Sequence, residues 1–205
     1  MTSTFPRLHA ITNDEVLASR RFLERAQAIA AGPEVAIHLR GSVSARALLE
    51  LAETLRELTA ANGSKLFVND RADVACMMGA DGVHLPAAGL SVSAARTAFP
   101  AAGWIGRSTH SVRSVRAALA EGADYVMLGP IWATTSHPHP GRPHLGPDIL
   151  GETTPARVIA IGGITPGRTA RCVAAGAYGV AAIRALWSAA DPAATVREFL
   201  LSLGR

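Results

Sequence analysis

The sequence predicts an α/β protein, a single (β/α)8 TIM barrel over residues 1–205. Three observations predict it. Short uninterrupted apolar runs alternate with longer amphipathic stretches, eight of each. Such continuous runs belong to parallel strands covered on both faces. Three helix–strand joins share one form, MGADGVHL, EGADYVML and AGAYGVAA, in which a glycine closes a helix and the chain turns into a strand. Finally, 49% of the chain is hydrophobic but only 5% aromatic, so the core is aliphatic, which suits helices on a parallel sheet better than a β-sandwich. A doubly wound open sheet is the structural alternative; it rarely uses eight equal units.

In chain order the expected strands are Leu8–Ile11, Val35–Leu39, Leu66–Asn69, Gly82–Leu85, Trp104–Arg107, Tyr125–Gly129, Val158–Ile161 and Gly179–Ile183. The first long helical pattern is Ser44–Asn62, with Ala47, Leu48, Leu51, Leu55 and Leu58 on one face. Others run from Ser91 to Phe99, Ser111 to Glu121, Thr165 to Ala175 and Pro192 to Leu203. Ser111 and Thr165 stand at N-cap positions, the latter followed by Pro166 at the first helical position. Between the sixth and seventh strands, the loop at about 130–146 is long for a connection inside a compact domain and reads as a lid.

The net charge is +4 and the pI about 9.8, yet the basic residues are scattered singly, which argues against nucleic-acid binding. Lys65 is the only lysine, and it precedes the third strand at the end away from the expected chemistry. A lysine-based aldolase is thereby excluded. Cys76 and Cys172 lie in apolar helical contexts and read as buried thiols. No signal-like start or membrane-length apolar run occurs, so a cytoplasmic location and no membrane partner are expected.

In this fold chemistry sits where strands end. Those ends bring Thr12 and Asn13, His38 and Arg40, Asn69, Asp70 and Arg71, His84, and Arg107 to His110 to one rim. Gly129, Gly162, Gly163, Ile183 and Arg184 complete it. The rim is rich in cations and hydroxyls with Asp70 as its carboxylate, which implies an anionic small-molecule ligand. The segment VIAIGGITPGR, a buried strand feeding paired glycines and a helix start, suits a phosphate held by main-chain amides; a tight turn without ligand is the plainer reading. Asp70 reads as a helix cap or as a substrate or Mg²⁺ ligand. His137, His139 and His144 give only a weak metal pattern, and Trp132 is expected to pack on the ligand or the lid.

These residues resemble the thiamine-phosphate synthase/TenI family over nearly the whole chain. The motifs are HLR (His38–Arg40), VNDRADVA (Val68–Ala75), GADGVHLP (Gly79–Pro86), IGRSTHS (Ile105–Ser111), GADYVMLGPIWAT (Gly122–Thr134) and VIAIGGITP (Val158–Pro166). The resemblance implies a thiamine-biosynthesis barrel, and a homodimer as the expected assembly. It implies that Gly162, Gly163, Ile183 and Arg184 hold a thiazole phosphate.

Two activities occur in that family. A synthase joins an aminopyrimidine diphosphate to the thiazole phosphate with Mg²⁺, for which Asp70 would be the metal ligand. Its Gln-Leu-Arg-Glu-Lys stretch reads His38-Leu39-Arg40-Gly41-Ser42 here, its Gly-Gln-Glu-Asp reads Pro86-Ala87-Ala88-Gly89, and a further lysine aligns with His137. With both lysines and one carboxylate absent, the first expectation is the other branch, a thiazole tautomerase-like isomerase that needs no metal or cofactor. That branch's acid/base histidine aligns with Pro130. His38 is then the expected proton carrier at a pKa near neutrality, with His84 and His110 as substitutes. Arg40, Asn69, Asp70, Ser108, Thr109 and Gly129 are the expected substrate contacts. The synthase, with Arg40 and Arg142 replacing the lysines, and a non-catalytic thiazole or thiamine phosphate binder are the alternatives.

Overall fold

The computed structural model describes residues 4–134, 143–153 and 155–204. Eight parallel strands form a closed barrel, each bonded to its sequence neighbours and the eighth to the first. They are β1 (Leu8–Ile11), β2 (Val35–Leu39), β3 (Lys65–Asn69), β4 (Gly82–Leu85), β5 (Trp104–Thr109), β6 (Tyr125–Leu128), β7 (Val158–Ile161) and β8 (Gly179–Ala182). Outside them lie α1 (Asp14–Leu17), α2 (Phe22–Ile29), α3 (Ala45–Asn62), α4 (Ala72–Met77), α5 (Val92–Ala98), α6 (Val112–Ala120), α7 (Pro166–Ala174), α8 (Arg184–Trp187) and α9 (Pro192–Ser202). The expected barrel is observed; β1, β2, β4 and β7 have the expected limits and the other four shift by one or two residues.

One expected helix is absent among the described residues. After β6 the chain forms only a 3-10 turn, Asp148–Thr153, because its DILGET sequence places a glycine and a β-branched residue where an α-helix would need good formers. The buried stripe of α3 is also rotated from expectation. Leu48, Ala52, Leu55 and Thr59 face the strands, while Leu51 and Leu58 flank them and Ala47 is only half-buried. A 3.6-residue period carries the buried seam along this i, i+4, i+7, i+11 row.

The three glycine joins are Schellman motifs. Ala80, Ala123 and Ala177 donate back to Ala75, Ala118 and Cys172, and Gly79, Gly122 and Gly176 donate to Cys76, Leu119 and Val173. In two of them the following aspartate turns under the barrel. Asp81 accepts from the Leu66 amide at 3.0 Å, and Asp124 from the Ile105 amide at 2.6 Å. Arg56 of α3 and Arg96 of α5, each one helix before the helix that the join ends, close these contacts at 2.8 Å. Lys65 joins Asp81 at 3.1 Å, so the lone lysine is structural and at the N-terminal end, as expected.

Successive strand residues alternate between two cores. Leu8, Ala10, Val35, Ile37, Leu66, Val68, Val83, Leu85, Val126 and Leu128 pack outward against the helices. Inside the barrel sit Phe5, Ile11, Ala36, Phe67, Tyr125, Met127, Ile159 and Ala181. Among these rings lie three buried imidazoles, His9, His38 and His84. Cys172 is buried as expected, its thiol pKa pushed up to about 11 by desolvation, whereas Cys76 is only half-buried.

Candidate active site

At the C-terminal mouth two hollows share a wall of Thr134, Ile161, Gly162 and Ile183. One is a cleft of about 460 Å³ between the ends of β7 and β8, lined by Gly163, Arg168, Arg184 and Ser188. The other is a pocket of about 350 Å³ over the barrel axis, lined by His38, Arg40, Asn69, His84, Ser108, His110, Met127 and Gly129.

The cleft is made of backbone. Gly162 and Gly163 have φ of +98° and +65°, left-handed values that a side chain resists. They also let the loop after β6 lie against the loop after β7. A Cβ on Gly162 would come within 2.6 Å of Pro130 Cα, and one on Gly163 within 2.8 Å of the Ala133 carbonyl. Ile131 and Trp132 donate to the carbonyls of Ile161 and Gly162 at 2.8 and 3.0 Å. Arg168 fastens the pair, donating to the Gly163 carbonyl at 2.6 Å with its guanidinium 5.1 Å from the Trp132 ring centre. Among the described residues, Trp132 therefore packs on Arg168. Among the described residues, the amides of Gly162, Gly163 and Ile183 meet no hydrogen-bond acceptor, which is the state an anion site requires. Thr165 is the N-cap residue of α7, but its side chain makes no cap bond; Pro166 follows at the first turn as expected.

The pocket is made of side chains. Alternation along β5 turns Ser108 inward and Thr109 outward, where the Thr109 hydroxyl bonds the Met127 carbonyl at 3.0 Å. Thr109, expected at the substrate, is thus a buried strand tie, because adjacent residues of a strand cannot face one side. Thr12 plays a similar part, bonding main-chain groups of Arg40 at 2.7 and 2.8 Å, and Asn13 caps α1. His84 bridges the Tyr125 hydroxyl at 3.1 Å and Ser108 Oγ at 2.9 Å. His110 is fixed by its Nδ1, 2.6 Å from the Gly129 carbonyl. The imidazole of His110, one residue past β5, thus reaches the carbonyl that precedes Pro130, the position where the chain lacks a histidine.

His38 lines the pocket, but not as a base poised near neutrality. It is 1% exposed, stacked on Phe67 at 4.7 Å, with its Nε2 2.8 Å from His9 Nδ1. Burial and the neighbouring histidines push its pKa well below the usual value, so protonating it inside the barrel is unfavourable. Burial likewise lowers His9 and His84 to about 3. His9 and Tyr125 were not among the expected site residues. The trace of His9 is a polar residue at an inward position of an apolar strand, two residues below Ile11, which pairs with His38.

Asp70 does not cap a helix. The N-cap of α4 is Arg71, without a side-chain cap bond; its guanidinium pairs with Asp73 at 2.5 Å. Asp70 sits at φ +66°, and its Oδ1 is 3.0 Å from where a Cβ on Gly89 would stand. Position 89 is thus spatially beside Asp70. Arg107 holds that loop by the carbonyls of Ala87 and Leu90. Among the described residues no group of three metal-ligating side chains occurs. His137, His139 and Arg142 lie outside the described residues, as does the middle of the expected lid. The loop's two ends are tied, Leu145 to Pro130 at 2.8 Å and Gly146 to Ile131 at 3.0 Å, and His144 is exposed. No described helix is long and apolar enough to cross a membrane.

The family model described as thiamine monophosphate synthase matches residues 8–186. A thiamine-phosphate synthase of Methanoculleus marisnigri is 42% identical over 93% of this chain and 92% of its own length. A thiamine biosynthesis bifunctional protein of Symbiobacterium thermophilum is 45% identical over 75% of this chain, which spans only 32% of that longer protein. The solved thiamine phosphate pyrophosphorylase of Pyrococcus furiosus superposes with a TM-score of 0.83 at 28% identity, covering 97% of this chain and 95% of its own. The motifs at the strand ends, the barrel that gathers them and these matches agree: the chain belongs to the thiamine monophosphate synthase family.

Proposed function

We propose that this protein is a thiamine-phosphate synthase, joining an aminopyrimidine diphosphate to a thiazole phosphate with loss of diphosphate. The observation that carries the reading is the shared wall between cleft and pocket. A phosphate in the cleft and a ring in the pocket would meet across Gly162 and Ile183. Relatives named as synthases over nearly their whole length support it over the isomerase expected first. Burial of His38, which lowers its pKa and so disfavours its protonated form, also weighs against it as that isomerase's proton carrier.

In this reading the amides of Gly162, Gly163 and Ile183, with Arg184, hold the thiazole phosphate. Asn69 and Ser108 orient the pyrimidine, and Arg40 faces the diphosphate from the pocket rim. The C–O bond to the diphosphate breaks as the ring nitrogen of the thiazole bonds the exocyclic carbon. The largely apolar, closed barrel interior beneath keeps water from the cationic carbon. Asp70, beside Gly89 and without a second carboxylate, fits Mg²⁺ only as one ligand together with diphosphate oxygens. When bound, the metal would neutralise charge on the departing diphosphate.

The test is release of diphosphate from the two substrates with and without Mg²⁺. Release that needs both substrates supports the synthase; none above background at saturating Mg²⁺ would remove it.

A further inference from the structure

We propose that Trp132 and Arg168 are positioning residues for the anion cleft. Together they clamp the loop after β6 onto the turn after β7, and the clamp aims the amides of Gly162 and Gly163 toward β8. The inference rests on the reading of the cleft as a phosphate site, and not on the reaction assigned to it.

Peptide planarity gives the direction. In a trans peptide the N–H points opposite to the C=O. The only cis bond among the described residues is Gly129–Pro130, so the Ile161–Gly162 and Gly162–Gly163 peptides are trans. Both of their carbonyls are held from the β6 side, Ile161 by the Ile131 amide at 2.8 Å and Gly162 by the Trp132 amide at 3.0 Å. The N–H groups of the same two peptides, those of Gly162 and Gly163, are thereby turned the other way. Since β7 stands between β6 and β8 in the barrel, that way leads to the cleft at the ends of β7 and β8. Successive carbonyls of an extended strand point to opposite neighbours. Here two in a row point to one neighbour, which the left-handed φ of +98° at Gly162 permits. Two adjacent amides turned to one side form a concavity suited to an anion.

The loop after β6 thus sets the aim of the amides, and its hold on the turn depends on two side chains. Trp132 supplies the amide that pins the Gly162 carbonyl, and its ring centre lies 5.1 Å from the Arg168 guanidinium. Nη1 of that guanidinium donates to the next carbonyl, Gly163, at 2.6 Å. Arg168 comes from the first turn of α7 and Trp132 from the far side of β7, so the pair closes the two loops as a clasp. The guanidinium has its face on the indole and a donor on the turn, which fixes it beside the amides rather than in place of them. The linkage also runs backward. An anion accepting from Gly162 and Gly163 polarises their peptides and strengthens the bonds that the same peptides accept from Ile131 and Trp132.

The probe is inorganic phosphate, read by NMR and calorimetry. In wild type it should shift the amide protons of Gly162 and Gly163 and slow hydrogen exchange at the amides of Ile131 and Trp132. Arg168→Met should weaken phosphate about tenfold, and Trp132→Leu should do the same although it removes no charge. The double variant should bind no worse than the more damaging single one, because the clasp is lost only once. Trp132→Phe keeps an aromatic face and should stay within about twofold of wild type. Arg168→Gln, uncharged but able to donate to the Gly163 carbonyl, should recover part of the loss. Unchanged phosphate affinity in Trp132→Leu, or additive losses, would overturn the clasp and make Arg168 a direct charge on the anion. Should Trp132→Leu fail to fold, Arg168→Met at its exposed position still decides. Phosphate must then no longer slow exchange at Ile131 and Trp132, and slowing that persists overturns the proposal. No shift at Gly162 and Gly163 in wild type would remove the phosphate reading of the cleft and the clasp with it. Absent diphosphate release would remove the synthase reading alone.

Discussion

The cleft and the pocket share a wall but are built from different material. The cleft exposes main-chain amides, two of them placed by paired glycines ahead of a proline-started helix and the third, of Ile183, by the end of β8. In the pocket the lining groups are side chains drawn from β2, β3, β4 and β5, resting on a chain of buried imidazoles that no single stretch contains. The first design tolerates drift in side chains and not in backbone; the second tolerates backbone neighbours and not a change of hydrogen-bond polarity.

Acid should separate the two regions most strongly. His9 and His84 are depressed from 6.5 to about 3, and His38 is lowered as well. A base with a depressed folded pKa leaves the unfolded chain binding more protons between the two values. Stability is therefore full above about pH 6.5 and falls toward pH 3, at up to about 4 kcal/mol per pH unit for three such groups. Urea unfolding measured from pH 7 to 4.5 should show this slope, and His84→Gln should reduce it by about a third. A flat profile would mean the imidazoles are not held neutral.

Gly162→Ala attacks the other region. Its Cβ would strike Pro130 at 2.6 Å in a left-handed conformation. A loss of about 2–4 kcal/mol in stability and about a hundredfold in kcat/KM is expected, since the β6 loop must move. A variant with unchanged kinetics would show that the cleft does not carry the anion.

Ser108→Ala removes one pocket donor. KM for the pyrimidine substrate should rise about tenfold, with the thiazole phosphate KM nearly unchanged. Equal changes in both would erase the division into two subsites.

Gly89→Asp is the smallest and works at the pocket rim. A second carboxylate beside Asp70 should lower the Mg²⁺ concentration for half-maximal activity a few-fold. It should also make the melting temperature depend on Mg²⁺, since two adjacent carboxylates repel without the ion. An unchanged Mg²⁺ requirement would separate Asp70 from the metal.

The legibility of each region follows from its construction. Strand and helix order could be read because their periods repeat locally, and the three C-terminal glycines were recognisable for the same reason. Gly162 and Gly163 could be picked out because a strand, two glycines and a proline-started helix lie within one short segment. His38 was found, but not the lowering of its pKa from the expected near-neutral value, because its burial depends on His9 and Phe67, which come from other strands. Thr109 was misassigned for a smaller reason, since knowing that β5 runs one turn of its pleat further decides which of two hydroxyls faces in. Of the two readings of Asp70, a cap or a substrate or Mg²⁺ ligand, the cap fails because the helix starts one residue later than that reading needs.

By itself, then, the chain determined a closed parallel barrel, its family and the paired-glycine turn into a proline-started helix after the seventh strand, all consequences of apolar period and glycine placement along contiguous residues. Only the tertiary structure decided which rim residues face inward, that His9, His38 and His84 are buried where protonation is disfavoured, and which nitrogen of His38 has no partner among the described residues. Those properties arise from barrel closure, which brings residues distant in sequence into one water-free interior where burial and mutual hydrogen bonds set the protons.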